Sequence, residues 1–139
     1  ASHLGTDVGL PSLLGQGDLV FFYGALLGFL QAAALSEAGG LPIDRTLAHI
    51  KRGLPLLADV LTDAARRVSQ AQYDTAETTV GIDITTLTGF VETCGDLGLD
   101  RTLMDSMRTV FGRAAAAGHA EHDTASVYEV LRAPRATAN

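Results

Sequence analysis

The chain has 139 residues, of which 47% are hydrophobic and 19% charged, with a formal net charge of −6 and a single cysteine. That length supports one domain with a hydrophobic core of its own, and that composition excludes a disordered chain. The acidic balance disfavours the phosphate backbone of nucleic acid as a partner, and the lone Cys94 excludes an internal disulfide. With no basic n-region or cleavage-type signal at the N-terminus, the expected location is the cytoplasm.

Alternating β-branched runs and Asn-Gly or Asp-Gly turns are absent, whereas helical periodicity recurs along the chain, so the fold class is all-α. The first helix is expected to begin near Gly9 to Pro11, with Thr6 and Asp7 as candidate caps, and to end at about Ala38 before Gly39-Gly40. At roughly 28 residues it forms a rod of about 40 Å. A second helix is predicted from Pro42–Asp44 to Arg52, broken by Gly53 and Pro55, and a third from Pro55 to Gln72. Tyr73 to Thr79 reads as a loop. The fourth, Thr79 to Leu97, carries Val80, Ile84, Leu87, Val91 and Cys94 on one face, which makes Cys94 a core thiol. After Gly98, with Asp100 as cap, a fifth runs from Arg101 to Ala117 and stops at Gly118. Asp123 or Thr124 caps a short sixth helix bearing Val127, Val130 and Leu131. The whole, residues 1–139, reads as one helical bundle built on the long first helix.

Residues 19–35, LVFFYGALLGFLQAAAL, are the unusual stretch. A membrane span is one reading, but Gln31 interrupts it, Asp18 and Glu37 bracket it, and no Lys or Arg precedes Arg45. The favoured reading is no membrane: a helix apolar all round must be buried all round, and a second copy of the chain would do this. Gly24, Gly28 and Ala32, spaced by four, would admit a close backbone. An intertwined two-fold homodimer is therefore expected.

Few residues suggest chemistry. Gly15-Gln16-Gly17 has no preceding strand, and Val20 stands where a third fingerprint glycine belongs, so phosphate binding is not expected. His119 and His122, beside Glu121 and Asp123, supply too few ligands for a metal, and none is expected. His49 fits a solvated helix face. Tyr23 places a hydroxyl inside the apolar rod, where it either satisfies a backbone carbonyl or faces a ligand; spacing alone favours the former.

Several segments, taken in order, resemble a known family: Leu4–Leu14 (LGTDVGLPSLL), Thr78–Asp100 with its closing Gly98-Leu99-Asp100, and Ala114–Arg132 (AAAAGHAEHDTASVYEVLR). They are similar to the C-terminal helical domain of NADPH-dependent imine reductases and reductive aminases, relatives of the β-hydroxyacid dehydrogenases. The resemblance implies an oxidoreductase that reduces C=N bonds. It implies that NADPH is bound mainly by an N-terminal Rossmann domain lying outside these 139 residues, so that this chain alone holds no cofactor and is not active. It also implies an interlocked homodimer and a substrate cleft, for a small imine or amine, between one subunit's Rossmann domain and the other's helical domain. Tyr23 matches a pocket tyrosine of the family and is the candidate catalytic residue, with Asp18 as a weaker one. Asp83 falls where a polar pocket residue is common. Gly15 occupies the pocket position where the family typically has an aspartate or tyrosine, proposed as proton donor, so that side chain is absent here. The alternative reading is a non-catalytic helical dimerisation or small-ligand-binding module.

Overall fold

A computed structural model describes residues 9–75 and 77–135. The candidate caps Thr6 and Asp7 lie outside those residues. The described residues are helical, with an isolated bridge between Thr79 and Asp123 and no strand. The elements are α1 (Gly9–Ala38), α2 (Ile43–Gln70), α3 (Val80–Asp96), α4 (Thr102–Ala114) and α5 (Tyr128–Leu131). A π-type turn, Ala115–His119, follows α4, and a 3-10 turn, Thr124–Val127, precedes α5. The chain divides into two compact units, residues 1–48 and 49–139.

In the first unit, the 30 residues of α1 give a rod of about 45 Å. Pro11 sits in its first turn, where a missing N–H leaves no hydrogen bond unmade. Gly40 at φ +82° closes the helix: its N–H reaches Glu37 O at 2.9 Å, and Leu41 N–H reaches Ser36 O at 2.9 Å. Apolar residues lie on every side of α1, yet Ala33 is its only buried residue. Val20 is 75% exposed and Leu14 74%. By length and composition α1 would also pass as a membrane span, as would the core helix of a soluble protein.

The second and third predicted helices are one. α2 runs through Gly53 and Pro55 without a break. The reason is a seam that stays in phase across the proline: Ile43, Leu47, Ile50, Leu54, Leu57, Leu61, Ala64 and Val68 alternate in steps of four and three. Local breaker residues at 53 and 55 are outweighed by a stripe that only a continuous helix keeps on one side. Ala71, at φ +51°, then takes the left-handed closing position that glycine usually fills, with Gln72 N–H on Arg67 O at 3.1 Å.

In the second unit α3 and α4 pack on each other in two clusters. Val80, Ala114 and Val127 form one, joined by Ile84, Val110, Phe111 and Val130. Val91, Cys94 and Met104 form the other, with Leu99 and Leu103. The sequence seam through Cys94 therefore does face the core, where each large buried side chain contributes roughly 1.5–3 kcal/mol. The first turn of α3 is fully satisfied: Val80 N–H donates to His122 O and Gly81 N–H to Ala120 O, both at 2.9 Å, and Ile82 N–H donates to Thr79 Oγ1 at 3.2 Å. α4 ends three residues before its predicted limit of Ala117, because the wider π-type turn carries the chain to Gly118 at φ +102°. Asp100, the expected cap of α4, accepts from Thr102 N–H at 2.9 Å from one residue before the N-cap position, which Arg101 holds, and Asp123 caps the 3-10 turn through Ala125 N–H at 2.8 Å, as expected.

The strain at Ala71 gives a direct test. A left-handed alanine costs about 1 kcal/mol relative to glycine. Ala71→Gly should therefore raise stability in denaturant melts, whereas a loss would mean that the methyl group packs more favourably than its backbone is strained.

Candidate functional site

The candidate residues fall in both units. Gly15, Asp18 and Tyr23 all lie on α1. Gly15 and Asp18, one turn apart, share a face, while Tyr23 is turned well away from Asp18. A Cβ at Gly15 would meet nothing within 4 Å. Tyr23 is 63% exposed and its ring meets Phe22 edge-on at 5.6 Å. Gly15-Gln16-Gly17 is interior to α1, so its N–H groups are engaged along the helix and cannot cradle a pyrophosphate. A dinucleotide's phosphates do not fit these residues.

Asp83 stands in the first turn of α3. Thr124 Oγ1 donates to its Oδ2. Burial pushes the Asp83 carboxyl above the usual aspartate range; the Thr124 hydrogen bond opposes this and the charge of Asp123 adds to it. Asp83 thus ties α3 to the 3-10 turn.

An adjoining cavity of about 540 Å³ is lined by Asp59, Asp63, Arg67, Glu77, Asp123 and Thr124, among others. Arg67 organises it. Its Nε donates to Asp63 Oδ2 at 2.7 Å and lies 3.7 Å from Asp123 Oδ2, and its Nη1 donates to Asp74 O at 2.6 Å. Hydrogen bonds from Arg67 and Arg66 hold the Asp63 carboxyl below the usual range. The cavity holds paired charges but no nucleophile–base pair, and no group of three metal-ligating side chains occurs among the described residues.

Two contacts here were not foreseen from sequence. Tyr73 is buried, and its hydroxyl donates to Glu129 Oε2 at 2.5 Å across 56 residues of sequence. His119 and His122 are in contact through Nδ1 atoms 2.9 Å apart. The spacing of three was visible for the histidines; nothing local marks Tyr73 and Glu129 as partners.

The profile of the NADPH-dependent reductive aminase-like C-terminal domain matches residues 7–133, and the chain belongs to that family. Among solved structures, an imine reductase from Myxococcus stipitatus in complex with NADP+ is 30% identical with a TM-score of 0.83, the match covering 90% of this chain and 46% of that one. A reductive aminase from Aspergillus terreus, in complex with NADPH and ethyl levulinate, is 24% identical with a TM-score of 0.85 and shares the fold over 91% of this chain and 44% of that one. An imine reductase from Bacillus cereus, 23% identical with a TM-score of 0.83, shares it over 88% and 43%. The chain thus spans less than half the length of these enzymes. No curated protein matches it.

The Tyr73–Glu129 bond sets a pH dependence. Burial, then the Glu129 hydrogen bond and charge, push the Tyr73 phenol up to about 12. A phenol is near 10 when unfolded, so the folded state resists deprotonation. Its contribution is present below pH ~10 and is lost as pH rises through ~12. Tyr73→Phe should lower stability at pH 7 by about 1–2 kcal/mol and flatten the loss between pH 10 and 12. Equal alkaline slopes in the two proteins would refute the assignment.

Proposed function

We propose that this chain is the substrate-binding and dimerisation half of an NADPH-dependent reductase of C=N bonds. The observation that carries the reading is the family match over residues 7–133 together with the uncovered apolar surface of α1. NADPH, held by a domain outside these residues, would supply the hydride. The residues of this chain would shape the pocket that receives a small imine or amine. Tyr23 is the best candidate to touch the substrate: its phenol is one of the few protic groups on an otherwise apolar stretch and can hold a hydrogen bond or a proton at the substrate nitrogen. Asp18 is the weaker candidate. Gly15 leaves space where the resemblance expects a proton donor, and Asp83 would act as a pocket residue only from outside the contact that it makes with Thr124.

The homodimer belongs to the same proposal. α1 is apolar on all sides, and α2 presents a second uncovered seam, with Leu47, Leu54, Leu57 and Leu61 all exposed. Two such helices match what an intertwined two-fold partner would bury. The proposed setting is soluble and cytoplasmic, with α1 covered by protein rather than lipid.

Gly15 favours a second reading, a helical dimerisation or ligand-binding module without catalysis, since the side chain expected to deliver the proton is absent. Consumption of NADPH by the full-length parent with cyclic imines or amine–ketone pairs separates the two. A parent that turns over none of them supports the module.

In that parent, Tyr23→Phe should lower turnover about 100-fold with the fold intact, and an unchanged rate would remove Tyr23 from the mechanism. Gly24→Leu tests the dimer. Leucine favours a helix by close to 1 kcal/mol over glycine, and a Cβ there meets nothing within 4 Å, so a lone chain tolerates the change. A partner packed on that face does not. Light scattering after size exclusion should show monomers; an intact dimer rejects this packing.

A further inference from the structure

We propose that His119 and His122 form an acid-sensitive latch on the N-terminal end of α3. Their Nδ1 atoms are 2.9 Å apart, a hydrogen-bond distance. One nitrogen must carry the proton and the other must present its lone pair. Both rings are half-buried, and Tyr73 meets His119 edge-on at 6.0 Å.

The turn that these rings clamp is also the one that satisfies α3. His122 N–H donates to His119 O at 3.0 Å, which sets the turn. The carbonyls of Ala120 and His122 then accept from Gly81 and Val80. Asp123 N–H, the next along, donates to Tyr73 O at 2.8 Å. The ring contact therefore holds the backbone that caps one helix and anchors one loop.

Counting protons shows why acid would open it. With both rings neutral there is one N–H···N bond. A first added proton enters the far Nε2 of the donor ring and leaves that bond in place. A second has to enter the accepting Nδ1. Two N–H groups and two positive charges would then face each other at 2.9 Å, and the contact breaks. The surrounding charged and titratable groups are Glu121 and Asp123 in the turn, Tyr73 with Glu129 behind it, Asp83 on α3, and Arg67 of α2 paired with Asp123. Among the described residues none of these groups is hydrogen-bonded to either imidazole, so none replaces the lost bond. An opened turn would free the wall of the cavity at Asp123 and Thr124 and loosen the first turn of α3 around Asp83.

The test uses the full chain. At pH 7.5, long-range 1H–15N spectra of the histidine rings should show one Nδ1 protonated and the other bare. On acidification to pH 5, the Val80 and Gly81 amides should lose protection from hydrogen exchange by tenfold or more, measured against amides in the Val91–Met104 cluster. In His122→Asn the amide oxygen can accept from His119 at either pH. Its melting temperature should fall less than the wild type's over this range, by about 3 °C or more. Identical protonation of the two Nδ1 atoms at pH 7.5, or unchanged relative protection at pH 5, overturns the latch. Equal pH slopes in the melts do the same. Should the variant fail to fold, the spectra and exchange of the wild type decide the question.

Discussion

Thirty residues of helix with apolar side chains all round impose a condition that a helix with one apolar face does not. An amphipathic helix is satisfied by one neighbour; α1 needs cover on every side. In the chain by itself that cover is absent, since Ala33 alone is buried. α2 repeats the condition in milder form: its leucine seam is continuous, and no residue of the helix is buried. The proposed partner and the proposed site both draw on this surface, because the exposed face of α1 also carries Tyr23.

The second unit is built on the opposite principle. Its core is small, with Val80, Ala114 and Val127 at one end and Val91, Cys94 and Met104 at the other. Polar contacts then fix the junction of loop, turn and helix. Arg67 ties α2 to Asp74 and Asp123, Tyr73 ties the loop to Glu129, and Thr124 ties the turn to Asp83. Ser126 is the exception, with a fully buried Oγ that has no partner among the described residues. The matched family is that of a C-terminal domain, and the matched imine reductase is about twice the length of this chain.

Much of the fold was legible along the sequence. Helix periodicity, the Gly39-Gly40 and Gly98 stops, and the aspartates Asp100 and Asp123 at helix starts are local signals, settled within a turn or two of backbone, and the structure places α1, α3 and α4 close to where those signals put them. Local signals failed at Pro55, because a proline's disruption is local while the seam that overrides it extends over the whole of α2. The serial resemblance of segments fixed the family, since order along the chain is a property of sequence.

Tertiary structure decided what distant residues do to one another. Tyr73 and Glu129 are 56 positions apart, and only the packing of α3 against α4 brings the loop to α5. Asp83 could be placed on α3 from its spacing, but its burial and its bond to Thr124, 41 residues away, come from the fold. His119 and His122 were visible as neighbours, yet the backbone of the turn determines that their rings meet Nδ1 to Nδ1. Backbone propensity and periodicity are short-range and can be read from the chain; pairing, burial and the charge state they impose depend on contacts that exist only once the helices have packed.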